Sequence, residues 1–527
     1  MSTAVQQVRV TYNRGSGPAT TIPCDLLVVA CDPSALLFEP PGLPAVMPPT
    51  PQEYEIFSAQ KNFVFQTTLV SVPTPPGGSA YGVILDPAAV RKMRGDVCGF
   101  RNESAKQYSL AGANQLPENY LVVYQYWSPD SGTPKPTRQD LLNILHDQLG
   151  SPELPWWPYA RAWSPRDDLY TDYFHQFDKN GLAAKLPWKL LGTQGANQTV
   201  YVSASTCFES VLQCWQYQEL LLPPNGPRPS WLPEAKDASI VIVGAGVSGL
   251  LFANRLRASG YTAVTLLERD PEHIGGKTHT VEMPTAGRNE TTVCELGTCY
   301  MSPAYNDLVY QYLSPFTVGN TAKGFEVRPG VAGNFRGMVT TGTIYDQNHK
   351  PWPDPVVAYD EYIVLSYQMW NGQVLDPSKG DEVTDAIGAL LAEYAVVGAE
   401  AIGDELPMPT RPPEDLDTLT DTYQNWLTDP NRLLPLKGLI GLLDYAYSVQ
   451  GYGPLADIPA YYGLVWISPS LALLLDLEAY FGDPLVTYWT KGWGDVWKQM
   501  AAMLSTTTRI ERGVTITSIE RNLTAEA

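Results

Sequence analysis

The order of apolar and polar positions marks out one stretch more sharply than any other. Four apolar residues in succession, Ile240 to Val243, predict a strand buried on both faces, and a glycine-rich turn follows at once. The period then changes: Leu250, Leu251, Ala253 and Leu256 return on one side of a helix, and Gly260 is placed to stop it. A second apolar run, Ala263 to Leu267, ends on Glu268.

Elsewhere the pattern is mostly that of strands. Val8, Val10 and Tyr12 alternate, a Gly-rich turn occupies Arg14 to Gly17, and Leu26 to Ala30 within CDLLVVACDP form a continuous apolar run suited to a strand covered on both faces. Val514, Ile516 and Ile519 carry a strand pattern at the far end, and the two ends are expected to fit together. Tyr54 to Asp130 reads as strand-rich, through FVFQTTLVSV, AYGVILD and NYLVVYQYW. A helix is predicted over Arg138 to Leu149 with Thr137 as cap, a strand over Gln198 to Ser205, and helices over Phe208 to Leu222 and Val383 to Val397. Trp156 to Trp188 is aromatic and broken by proline, and Pro223 to Lys236 reads as a surface linker. The region from Asn320 to Ser505 is dense in aromatic residues, among them Tyr359, Tyr362, Tyr367, Trp370, Tyr461, Tyr462, Trp466, Tyr480, Tyr488, Trp489 and Trp493. Most of these belong to cores or surfaces, and a minority would line an apolar tunnel.

Composition narrows the partners. The chain of 527 residues carries a net charge of −20, which disfavours nucleic acid, because phosphate binding needs a basic surface. No run of about 18 uninterrupted apolar residues suggests a membrane span. Seven cysteines without a CxxC pair, and five histidines without an HxxxH cluster, give no support to a metal site. Cys207 and Cys214 read as small apolar residues. Asn102, Asn197, Asn289 and Asn522 each begin an N-x-[ST] sequon, which points toward secretion, although such triplets arise by chance and the first thirty residues carry no signal-peptide pattern.

The glycine turn carries the chemistry. Gly244 permits the tight turn, Gly246 admits a pyrophosphate where a Cβ would collide, and Gly249 lets the helix lie close on the strand. The helix start offers free N–H groups and a positive dipole end. Glu268, about twenty residues beyond the last glycine, is placed to accept two ribose hydroxyls, which favours FAD or NAD over NADP. Gly275 and Gly276 offer a second close backbone approach, and Lys277 would set a cation near the phosphates.

Read from Ala235 to Ala527 and then from Met1 to Leu222, the chain resembles the FAD-dependent flavin amine oxidase superfamily, through GAGVSG, Glu268, GGK, the ELGTCYMSP stretch, the strand at Val514 and the returning strand CDLLVVACDP. Within it the chain is similar to polyenoic fatty-acid double-bond isomerases, through GGKTHT (275–280), GYGPLADIPAYY (451–462), DYFHQF (172–177) and TQGANQTVYVSAS (193–205). Most amine oxidases carry arginine after the double glycine, so Lys277 favours the isomerase branch. The family's glycine and acid after the last strand are replaced by Ser203 and Ala204.

The resemblance implies an α/β fold in circularly permuted order: a Rossmann-like FAD-binding domain (1–45, 189–315 and 505–527), and a mixed-sheet substrate domain with a helical part (46–188 and 316–504), with 223–236 joining the original termini. A fusion of two unrelated domains is the other reading, and would leave half-finished sheets at both ends. The implied FAD contacts are Gly244, Ala245, Gly246, Val247, Ser248, Gly249, Glu268, Arg269, Gly275, Gly276, Lys277, Thr278, Gly297, Thr298, Val514, Ser203 and Phe208. The implied activity moves a hydride between an apolar, fatty-acid-like small molecule and flavin N5. An oxidase or dehydrogenase of an amine or secondary metabolite, and a non-catalytic FAD-binding protein, are the alternatives. No catalytic side chain is assigned, and His175 reads as a hydrogen-bonded histidine rather than an acid or base.

Overall fold

The computed structural model describes residues 7–38, 44–74, 82–84, 93–150, 163–301, 305–324, 343–344, 411–429, 447, 451–467 and 487–523. Along the chain the strands are β1 (Val8–Arg14), β2 (Thr20–Cys24), β3 (Leu26–Val29), β4 (Gln60–Pro73), β5 (Gly82–Ile84), β6 (Arg94–Asn102), β7 (Glu118–Trp127), β8 (Ser164–Phe177) and β9 (Thr199–Tyr201). They continue with β10 (Ile240–Val243), β11 (Val264–Leu267), β12 (Thr280–Pro284), β13 (Thr291–Glu295), β14 (Tyr300–Met301), β15 (Ala322–Gly324), β16 (Thr343–Ile344), β17 (Thr487–Trp489), β18 (Thr508–Glu511) and β19 (Val514–Glu520).

A five-stranded parallel sheet, in the order β18-β11-β10-β3-β9, positions the site. Two adjacent inner strands, β10 (IVIV) and β3 (LLVV), are buried at every residue because both faces are covered. Alternate residues serve different cores. Leu26, Val28, Ile240 and Ile242 pack with residues of the helices Val247–Ala258 and Gly492–Leu504, while Leu27, Val29, Val241 and Val243 lie in the core that holds Val8, Val10 and Val514. The chain leaves β10 toward β11 and leaves β3 toward β9, so the connections part and open a crevice at the strands' carboxyl ends.

The expected meeting of the two ends is observed, for β19, β1 and β2 form an antiparallel sheet in which Val10 pairs with both Ile519 and Ile22. A larger mixed sheet, β16-β5-β6-β7-β4-β8, is antiparallel except where β16 runs beside β5. The fold is therefore α/β, with parallel and mixed sheets.

Several elements differ from the sequence expectation. β8 occupies the region read as proline-broken; its first ten residues are exposed or half-buried, so no two-residue burial rhythm reveals it. The strand expected over Gln198 to Ser205 is confined to Thr199–Tyr201, because the Ser203 and Ser205 hydroxyls bond to each other at 2.6 Å within a tight turn. Helices Pro51–Ser58 and Glu103–Ala113 interrupt or border the region read as strand-rich. The helix Arg138–Gly150 matches its expectation, and the Thr137 cap is reciprocal: Asp140 N donates to Thr137 Oγ1 at 3.2 Å and Thr137 N to Asp140 Oδ2 at 2.8 Å. The next predicted helix starts later, at Val211, because Ser210 is its cap. Leu232 in the Pro-rich stretch is buried rather than exposed, and Trp231 lies over Phe252. Asn102 is fully buried and bonded to Asn119 and Ala105, so that sequon cannot be glycosylated in the folded chain. The helix expected at Val383 to Val397 lies outside the described residues, as do Tyr359, Tyr362, Tyr367, Trp370 and Tyr480.

Candidate functional site

The crevice is built from backbone. β10 is followed by Gly244, whose φ of +104° makes the turn that an L side chain would resist. The helix Val247–Ala258 begins with Gly246 as cap, and among the described residues no side chain caps its first turn. Gly249 allows the close approach anticipated for it: a Cβ there would stand 1.9 Å from the Gly244 carbonyl oxygen. The helix stops where expected, at Gly260 with φ of +86°, and Arg255 and Arg257 complement the negative end of its dipole.

A second glycine pair closes on the first. Gly246 and Gly275 form a parallel bridge, Gly275 N donates to Ala245 O at 3.0 Å, and a Cβ on Gly276 would lie 3.1 Å from Gly246 Cα. Thr278 Oγ1 holds this turn by donating to Gly275 O at 2.8 Å. Gly297 presses on the same segment, since a Cβ there would fall 1.7 Å from Lys277 O. Thr298 is half-buried beside it.

Glu268 stands at the end of β11 with both carboxylate oxygens in use: Oε2 accepts from Ala245 N at 2.7 Å and Oε1 from Asp270 N at 2.8 Å. Val514 N donates to Glu268 O at 3.0 Å, which places β19 behind the acid. Arg269 is exposed. Val247 is half-buried, and Ser248 is buried with its carbonyl accepting from Gln218.

On the far side of the crevice, Ser203 follows β9 and Phe208 is buried against Phe174 and Tyr452, at ring separations of 5.4 and 5.3 Å. Tyr173 stacks on Tyr452 at 6.0 Å. Lys277 reaches this side: its ammonium pairs with Glu209 and lies 5.3 Å from the centroid of the Tyr173 ring.

Glu209 and Asp32 are the residues that sequence reasoning missed. Asp32 could have been found, because it follows a buried strand whose carboxyl end faces the crevice. Glu209 carries no such mark. Both carboxyls lie below their usual range: burial opposes this, but His175 outweighs it at Asp32, and Lys277 with His175 at Glu209. Cys207 and Cys214 are free and buried, with sulfurs 3.9 Å apart, as small apolar residues would be.

Among the described residues no helix is long and apolar enough to cross a membrane. Residues 242–316 match the NAD(P)-binding Rossmann-like domain. No curated protein matches the chain. Among solved structures it is similar to putrescine oxidase bound to putrescine, at 18% identity over 52% of this chain and 50% of that one, with a TM-score of 0.33. It is similar to the CLA-producing fatty acid isomerase from P. acnes at 19% identity, over 55% and 58% of the two chains, with a TM-score of 0.33. Cyclohexylamine oxidase from Brevibacterium oxydans IH-35A gives 16% identity, 52% and 51% coverage, and a TM-score of 0.33. The match thus spans about half the length of the two oxidases.

Proposed function

We propose that the chain is an FAD-dependent oxidoreductase or isomerase that moves a hydride between an apolar, fatty-acid-like substrate and flavin N5. The observation that carries this reading is the meeting of two glycine turns, Gly244 to Gly249 and Gly275 to Gly276, at the parting of β10 and β3, with Glu268 at the end of the adjacent strand. The residues fit a dinucleotide. Among the described residues a Cβ on Gly246 would meet only Gly276, at 3.7 Å, which leaves its outer side open to a ligand. First-turn amides would take the diphosphate, and Glu268 would exchange the Ala245 N–H for ribose hydroxyls.

FAD, when bound, supplies a ring that accepts and returns a hydride. The chain's own part is to bind, orient and exclude water. Tyr173 and Phe174 of β8 join Phe208 and Tyr452 in an aromatic wall. The face of Tyr173 is already engaged by the Lys277 ammonium, which favours an apolar substrate over an amine at this wall.

The purified protein should be yellow, and Gly246→Val should abolish flavin retention by filling the open side of the turn. A polyunsaturated fatty acid labelled with deuterium at the abstracted carbon should be turned over without oxygen, and its label should reappear at a new carbon. An anaerobic stop after one equivalent, with peroxide matched to product in air, would replace the isomerase reading by an oxidase. A colourless wild-type protein that takes up no FAD would overturn the assignment as a whole.

A further inference from the structure

Four titratable groups from four separate segments meet at the rim of the crevice. Asp32 follows β3, Glu209 follows Phe208, Lys277 follows the double glycine, and His175 comes from β8 of the mixed sheet. His175 Nε2 lies 3.1 Å from Asp32 Oδ2, and Nδ1 lies 3.6 Å from Glu209 Oε2. The other Glu209 oxygen takes the Lys277 ammonium. Asp32 is braced in turn by the amide and hydroxyl of Ser34, at 3.0 and 2.6 Å.

The main chain is bent to bring His175 here. Between the pairs Lys61↔Gln176 and Phe63↔Tyr173 the ladder slips, and Phe174 adopts a φ of +50°, which a bulky L side chain rarely does. The Phe174 amide donates to Glu209 Oε2 at 3.0 Å, so Glu209 stabilises the strained residue as well as facing the imidazole. His175 and Glu209 are almost wholly buried, while Lys277 remains partly open to solvent.

Charge balance gives this arrangement a purpose. Two carboxylates and one ammonium leave a net charge of −1 beside turns built for a diphosphate, and only a proton on His175 brings the four groups to neutrality. We propose that His175 is a positioning residue held as an imidazolium between Asp32 and Glu209, and that its proton is what allows an anionic dinucleotide to enter the crevice. The proposal rests on the reading of the crevice as a dinucleotide site. Burial alone would strip the proton, but the hydrogen bond to Asp32 and the nearby Glu209 carboxylate prevail and push His175 up to about 9. The other titratable groups facing the cluster are Cys31, Cys207, Tyr173, Tyr305 and Tyr452. Burial pushes the Cys31 thiol up to about 12 and raises Cys207 and the three phenols above their ordinary values.

The direction of the linkage follows. His175 gains affinity for its proton on folding, so its contribution is complete below its ordinary value of 6.5 and is lost as the pH rises through about 9. Selective 15N labelling of the five histidines in the full chain, with His175 assigned by its loss in His175→Gln, reads this directly. Both ring nitrogens should be protonated at neutral pH, with a midpoint near 9 that falls in Asp32→Asn. A neutral imidazole at neutral pH would overturn the proposal.

Calorimetric binding of ADP tests the ligand half, since ADP carries the diphosphate without the titratable flavin ring. Affinity in the wild type should fall by up to about tenfold per pH unit above the His175 midpoint, and His175→Gln should lack that slope. An equal slope in His175→Gln would sink the linkage. If neither ADP nor FAD binds the folded wild type at any pH, the dinucleotide reading fails together with the ligand half, while the NMR midpoint still decides the positioning half.

Discussion

Gly249 leaves no room for a methyl group. The carbonyl oxygen of Gly244 would lie 1.9 Å from it and the Ala30 side chain 3.3 Å away, and neither backbone can retreat without moving β10 or the helix behind it. Gly249→Ala should therefore destabilise the chain by roughly 1–3 kcal/mol, as inserted methyl groups do in packed interiors. Urea unfolding checks it, and an unchanged midpoint would show that the turn can open. This residue, Gly244 and Gly246 were legible in the sequence because their demands are local, a matter of one turn and its own backbone. The Asp32, His175 and Glu209 cluster was not, because its members stand far apart in the chain and only tertiary pairing selects them. Lys277 was legible as a cation beside the double glycine, but its partner Glu209 was not.

At the scale of elements, capping joins segments that sequence separates. Thr50 and Glu53 cap the helix Pro51–Ser58 reciprocally, with Thr50 N donating to Glu53 Oε2 at 2.8 Å and Glu53 N to Thr50 Oγ1 at 3.1 Å. The same carboxylate receives two bonds from Arg521, at 2.6 and 2.7 Å, and a third contact from the Tyr201 hydroxyl. Arg521→Gln would leave Glu53 buried without its counter-charge, so a loss of about 3–5 kcal/mol in unfolding experiments is expected. Burial alone would raise the Glu53 pKa, but Arg521 outweighs it and lowers the folded value below 4.5. Its contribution is present above 4.5 and disappears as the pH falls through the lowered value, and Arg521→Gln should lose most of this acid sensitivity. The caps at Thr137 and Ser210 obey local rules and were open to sequence reading, at least in kind. β8 was not, because its early residues are exposed or half-buried and its identity comes from eleven paired positions along β4.

For the molecule as a whole, a buried charged cluster ties the mixed sheet to the segments around Thr280 and Trp493. Arg101 and Lys106 both pair with Glu103, and Arg101 also reaches the Glu295 carbonyl. The Glu295 side chain accepts from Trp493 N at 2.6 Å and from the Thr280 hydroxyl at 2.7 Å. Burial still dominates and pushes Glu295 up to about 7. A carboxyl raised on folding contributes fully below its ordinary value of 4.5 and loses that contribution as the pH rises through about 7. Thermal stability of the wild type should thus decline between pH 5 and 7 by a component that Glu295→Gln removes. An identical decline in that variant would place the effect elsewhere. The joining of distant strands into one parallel sheet was legible in outline, through the all-apolar runs at Leu26 and Ile240, whereas the strand order was not.

That parallel sheet has a consequence in time. Its second strand from one edge, β3, lies against β10, and the hydrogen bond from Ser239 N to Asp25 just before them already spans 214 positions. At a synthesis rate of about 5–20 residues per second, β3 waits roughly 10–40 s for that neighbour to be made. During the wait its four apolar residues, and the edge that β10 will cover, are open to any passing strand. The ribosome therefore sets when the crevice can first exist, and a chaperone that shelters the emerging chain around Leu26 to Val29 would decide how much of it arrives there unaggregated.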